Sequence, residues 1–122
     1  MSYQRGEIVL VPFPFTDLSR QKARPAIVLS PSRLNQRSPD VILAAISSKV
    51  PTVPNEFEWV LHRNDSEFAI TGLRVSSVVK ANKLITIKQS LIYRVLGKVS
   101  DQALRELDRR VARAIGLGAS KW

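Results

Sequence analysis

Glu7-Ile8-Val9-Leu10-Val11-Pro12-Phe13-Pro14-Phe15-Thr16-Asp17 and, a short loop later, Arg24-Pro25-Ala26-Ile27-Val28-Leu29-Ser30-Pro31 are two apolar runs of similar make. Ile8 to Val11 is unbroken and mostly β-branched, and Pro12 and Pro14 end it, which predicts a strand over Glu7–Phe13. Pro25–Leu29 predicts a second strand. Pro25 suits a strand's first residue, and it pushes Arg24 toward an extended backbone. In the loop Ser19-Arg20-Gln21-Lys22-Ala23-Arg24, three of six residues are cations. A guanidinium therefore stands at the mouth of a strand, where a fixed charge can meet a phosphate.

Outward from this pair, Val41–Ile46 predicts a buried strand and Phe57–Leu61 a half-exposed one, with Phe57, Trp59 and Leu61 on one face. Val75–Val79 predicts a fifth strand, Ile85–Ile92 fits neither period clearly, and Tyr93–Val99 reads as a last strand or an extended connection. Between them, Ser30–Asp40 is turn-rich with room for one helical turn at Ser32–Gln36, and His62–Gly72 is a loop. The C-terminal segment predicts a helix. Ser100 or Asp101 caps it, Leu104, Leu107, Val111, Ala114 and Ile115 recur every three or four residues, and Gly116 stops it. Asp101/Arg105 and Glu106/Arg110 are acid-first pairs four apart, and Arg105, Arg109, Arg110 and Arg113 read as a solvated helix face. Short strands followed by one helix predict a mainly β, α+β fold: one domain over residues 1–122, a small antiparallel barrel or half-barrel with a helix packed on it.

Nineteen Lys and Arg against ten Asp and Glu give a net charge of +9, which favours a polyanion or an acidic protein as partner. The chain has no cysteine, so disulfides and thiolate metal sites are excluded and a cytoplasmic location is permitted. No apolar run is long enough to cross a bilayer. His62 is the one histidine and reads as a surface residue; no Gly-x-Ser-x-Gly elbow, metal-spaced cluster, Walker loop or dinucleotide fingerprint occurs. An enzyme built from this chain works with cations and hydroxyls. RNA strand cleavage suits such a set, because the substrate brings its own nucleophile, the 2′-OH, and the protein must orient it and neutralise charge at phosphorus. Arg24 fits charge stabilisation, since its planar fork can donate two hydrogen bonds to a phosphate while a guanidinium, which holds its proton, makes a poor base.

Gly6-Glu7-Ile8-Val9-Leu10-Val11 with Phe13-Pro14-Phe15-Thr16-Asp17 resembles the opening of the MazF/PemK toxins, and Arg24-Pro25-Ala26-Ile27-Val28-Leu29-Ser30 resembles their second-strand signature. Leu43-Ala44-Ala45-Ile46-Ser47-Ser48, Ser77-Val78-Val79, Leu84-Ile85-Thr86-Ile87 and Gly97-Lys98-Val99-Ser100 continue the likeness to the C-terminal helix. The resemblance implies an SH3-like barrel with a C-terminal helix, a homodimer, and single-stranded RNA in a surface groove. It implies a metal-independent endoribonuclease without cofactor, leaving 2′,3′-cyclic phosphate and 5′-hydroxyl ends. An acidic cognate antitoxin of MazE/PemI type would occupy the same groove. Carried over by position, Arg24 is the catalytic cation and Ser47 its hydroxyl partner, with Ser48, Asp17, Glu7 and Lys80 as candidate support. Phe15, Thr16, Arg20, Lys22, Ser77 and Asn82 are expected along the RNA.

Three departures from the family pattern stand out. Ser47-Ser48 replaces a threonine common among relatives, and strand alternation lets only one hydroxyl face the groove. Arg20-Gln21-Lys22 occupies the loop where some relatives carry a glutamate, leaving Asp17 or Glu7 as candidate bases. Lys80-Ala81-Asn82 stands where others carry Arg-x-Asp, and Asn82 exchanges no proton. Two other readings remain open on the sequence: a non-catalytic toxin on the same scaffold that binds DNA gyrase, and a basic RNA-binding module.

Overall fold

In the computed structural model, which describes residues 2–12 and 22–118, six strands form one antiparallel sheet. The strands are β1 (Glu7–Pro12), β2 (Ala23–Val28), β3 (Asp40–Ser47), β4 (Glu58–Leu61), β5 (Ser77–Lys88) and β6 (Arg94–Lys98). The one-turn helix α1 (Ser32–Asn35) follows β2, and α2 (Asp101–Ala114) closes the described chain. The order across the sheet is β4-β5-β3-β2-β1-β6, so its two ends stay unpaired and the sheet curls into a half-barrel. Among the described residues, no helix is long and apolar enough to cross a membrane.

Both faces of the sheet are buried, which is why its central strands read as continuous apolar runs. On one face Ile8, Ile27, Leu29, Ala44, Ile46 and Val79 pack with Leu104 and Leu107 of α2 and with Phe68. On the other, Val9, Val11, Ala26, Val28, Val41, Leu43 and Ala45 pack with Ile92 and the half-buried Tyr3, Ile85 and Ile87. The alternation expected of Phe57, Trp59 and Leu61 holds, and all three join the α2 face.

The region from Val75 to Ile92 differs from the sequence expectation. Here one twelve-residue strand, β5, serves two partners. Leu84–Lys88 pairs with the first half of β3, and Val78–Lys80 pairs with its second half and with β4. The register jumps from Ala44↔Leu84 to Ala45↔Lys80, leaving Ala81, Asn82 and Lys83 as a bulge. A bulge increases local twist and bends the strand. The break in alternation hides the strand from a period-two reading.

The helix forms where expected. Ser100, not Asp101, caps it, its Oγ accepting the Ala103 N–H at 3.1 Å. Ile115 departs from the expected apolar face: it lies past the last turn and is exposed. The Asp101/Arg105 pair does not form among the described residues, whereas Glu106 accepts from Arg109 at 2.9 Å and from Arg110 at 3.0 Å. Arg110 also donates to the carbonyls of Glu56, at 2.9 Å, and Glu58, at 3.3 Å. Those bonds cover the open edge of β4, which would otherwise offer unpaired backbone to another strand.

Glu106 is held below the usual carboxylate range, first by the Arg109 hydrogen bond, against partial burial, with the Arg110 charge also lowering it. A depressed folded-state pKa gives stability that is present above the unfolded value and lost as pH falls through the folded one. Wild type should therefore lose more stability than Glu106→Gln between about pH 5 and about pH 3, by about half a kcal/mol because the pairs are solvent-screened. Urea midpoints across that range check this; parallel curves for the two proteins would refute it.

Candidate active site

Pro25 sets the geometry. The β2–β3 ladder covers only Ala26↔Ala45, Ile27↔Ala44 and Val28↔Leu43. Pro25 has no N–H to give a further rung, so the ladder ends there. Extended by two residues, that register sets Arg24 opposite Ser47, the last residue of β3. Beyond Ala26 the strands are no longer paired, and a cavity of about 260 Å3 opens beside the fork, lined by Arg24, Ala45, Ile46, Ser47, Lys49, Lys80 and Lys83. Among these described lining residues there are four cations and no carboxylate.

Register fixes which side chains share this side of the sheet. Lys80 pairs with Ala45, and Val78 pairs with Ser47, so Lys80 projects to the same face as Ser47 and Ala26. Arg24 is half-buried and its Nε is shielded from solvent. Ser47 Oγ accepts the Lys49 backbone N–H at 3.1 Å. That bond uses an acceptor position and leaves the hydroxyl hydrogen to be donated. Glu58 of β4 stands opposite Lys80 on the same face, and its Oε1 accepts the Asn55 N–H at 3.0 Å.

The sequence-predicted residues separate accordingly. Arg24, Ser47 and Lys80 come together around the cavity. Ser48 is exposed beyond the end of β3 and does not line it, so Ser47 is the hydroxyl that faces the cations. Glu7 begins β1, four residues from Val11, the partner of Arg24, a separation of about 13 Å along the strand. Its carboxylate accepts the Gln4 N–H at 2.6 Å, away from the cavity. Ser77 is buried at the start of β5 and donates to the Val75 carbonyl at 2.9 Å. It pairs with Leu61 on the α2 face of the sheet, opposite to the cavity. Asn82 is exposed on the bulge, and Lys22 is exposed just before β2; neither lines the cavity. Phe15, Thr16, Asp17 and Arg20 lie outside the described residues.

Lys49 and Lys83 are the lining residues that sequence reasoning missed. Alternation from Ser47 would have found Lys49, two residues on. Lys83 was not accessible that way, because it falls in the bulge, where alternation breaks. A second cavity, about 300 Å3, lies between β4, the 62–71 segment and α2. Its lining includes the apolar Trp59, Leu61 and Phe68, and three carboxylates, Asp65, Glu67 and Glu106, outnumber the one arginine, Arg109, which disfavours a phosphate. The cationic cavity is the better candidate on charge.

Residues 4–115 match the sequence family described as the PemK-like, MazF-like toxin of type II toxin-antitoxin system. The chain belongs to that family. The fold agrees with solved toxins: an endoribonuclease in complex with its cognate antitoxin from a mycobacterial species superposes with a TM-score of 0.75 at 19% identity, over 97% of this chain and 99% of that one. MazF from Deinococcus radiodurans gives 0.74 at 23% identity, over 96% and 99%. The Mycobacterium tuberculosis toxin MazF-mt6 gives 0.73 at 21%, over 93% and 99%. No curated protein matches the chain. The MazF-like half-barrel with its C-terminal helix is thus the architecture expected from the sequence resemblance.

Proposed function

We propose that this MazF-like toxin is a metal-independent endoribonuclease of a type II toxin–antitoxin pair, and that Arg24 and Ser47 act at its scissile phosphate. The observation that carries this reading is the fork where β2 and β3 part, with a guanidinium and a hydroxyl on adjacent strands lining one cavity with three lysines. The 2′-OH attacks the adjacent phosphorus, the P–O5′ bond breaks, and a 2′,3′-cyclic phosphate and a 5′-hydroxyl remain. Arg24 neutralises charge on the non-bridging oxygens through its fork, and the Ser47 hydroxyl donates to one of them or steers the 2′-OH. Lys80 adds fixed positive charge. Of the two carboxylates considered for proton transfer, the position of Glu7 argues against it, which leaves Asp17.

The net charge of +9 suits an acidic antitoxin segment competing with RNA for this groove, in the cytoplasm. A homodimer would extend the groove and cover apolar side chains now exposed near β6, Tyr93 and Val95.

The test is purified protein with a long mixed-sequence RNA in excess EDTA. Cut strands with cyclic-phosphate ends are expected. Ser47→Ala should cut about a hundredfold more slowly and Ser48→Ala at close to the wild-type rate. Intact RNA together with a stalled DNA gyrase would sink the nuclease reading.

A further inference from the structure

The positive charge of the Arg24 cavity is spread across more chain than one phosphate can touch. Arg24 rises from β2 and Lys80 from β5, with β3 between them, two strand spacings or about 10 Å apart. Lys83 lies on the β5 bulge, and Lys49 stands past the end of β3. A phosphodiester is a monoanion whose oxygens surround one centre, so a group seated between Arg24 and Ser47 does not engage all four cations at once.

We infer that Lys49 and Lys83 form a separate subsite for the phosphodiester next to the scissile one, so that the nucleic-acid strand crosses β2, β3 and β5 in turn. This deepens the endoribonuclease reading and rests on it. The chemistry fits the residue types. Arginine's rigid fork suits the linkage that must be held in one geometry, whereas lysine is a mobile point charge that grips a phosphate without fixing its orientation. The bulge has a purpose in this scheme. In an unbroken β3–β5 register Lys83 would sit opposite Ala45; the bulge gives that rung to Lys80 and keeps Lys83 at the cavity as well. A substrate with only one phosphodiester should then be cut poorly, since it leaves this subsite empty.

Two measurements test this with the full chain. In the first, a short RNA oligonucleotide with one cleavage site carries a neutral methylphosphonate in place of one neighbouring linkage, on each side in turn. At one of the two positions wild type should lose about tenfold in kcat/KM, and Lys49→Gln/Lys83→Gln should lose less than about twofold from the same change. An equal loss in both proteins overturns the inference. In the second, the salt dependence of binding is measured by fluorescence anisotropy, using an oligonucleotide with 2′-deoxyribose at the cut site. The double variant should reduce the slope of log K against log salt by about 0.7, the worth of one phosphate on a single strand. Lys98→Gln, exposed on β6, should leave the slope in place. An unchanged slope in the double variant also refutes the subsite. Failure of wild type to cut any RNA would instead strike the endoribonuclease reading, while the slope still reports on the subsite.

Discussion

Arg24→Ala is expected to lower RNA cleavage by about a thousandfold while leaving the folded protein near wild-type stability. The size follows from the chemistry. Removing one donor aimed at a developing oxyanion costs roughly a hundredfold to a thousandfold, and an arginine at a phosphoryl transition state can be worth more. Arg24 combines both roles, since it brings charge and a bidentate fork to one phosphate. Its position makes a large stability loss unexpected. It sits two residues beyond the β2–β3 ladder, at the edge of a cavity, and the apolar packing of β2 is carried by Ala26, Ile27 and Val28. Arg24→Lys separates the two contributions, because it retains the charge and loses the fork; an intermediate rate is expected. Initial rates on one RNA, together with thermal midpoints for each variant, decide the matter. Activity within tenfold of wild type would remove Arg24 from the mechanism.

The parts of this fold that were legible in the sequence are those in which one physical pattern persists. Ile8–Val11, Ala26–Leu29 and Val41–Ile46 announce strands because both faces of each are buried, so burial and β-branching mark them without alternation. The helix announces itself through Leu104, Leu107 and Val111 on one stripe and through Ser100 at its cap. The pattern fails at the β5 bulge, where three inserted residues reset which face each side chain takes. The same reset explains the uneven fate of the site residues. Ser77 and Lys80 have opposite parity on a regular strand, so they cannot both face one groove. Asn82 shares the parity of Lys80 but lies within the bulge, where parity no longer holds. Arg24 and Ser47, by contrast, come from strands adjacent in the sheet, in a register fixed by the apolar residues between them. Their proximity follows from packing that the sequence displays. Glu7 needed a length argument rather than a pattern. It shares a strand with Val11, and the strand's extension carries its carboxylate away from the fork.

Gly97→Ala is expected to be severely destabilising for a single added methyl, costing about 3 kcal/mol or more. The backbone carries β6 against the short 310 turn Ala69–Thr71, and a Cβ built on Gly97 would overlap the Ile70 carbonyl oxygen and the Thr71 backbone. These are backbone atoms, held by the Thr71 N–H and Oγ1 bonds to the Phe68 carbonyl, at 3.1 and 2.6 Å, so they cannot swing aside as a flexible side chain would. Gly72 faces the same constraint from the other side, since its own Cβ would overlap the Leu96 carbonyl at a left-handed φ of 73°. Together the two glycines let the 62–76 segment close against β6, giving the open sheet a cover at that edge and seating Phe68 in the core with Leu107. Prying this contact apart should lower the thermal midpoint by about 10 °C or more, whereas Lys98→Ala on the same strand, with its side chain in solvent, should shift it little. The Arg24 fork is built from β2 and β3, and β6 meets the sheet only through β1. Molecules of Gly97→Ala that remain folded should therefore cut RNA at close to the wild-type rate at low temperature. A thermal midpoint unchanged by Gly97→Ala would show that this edge is not closed by backbone contact.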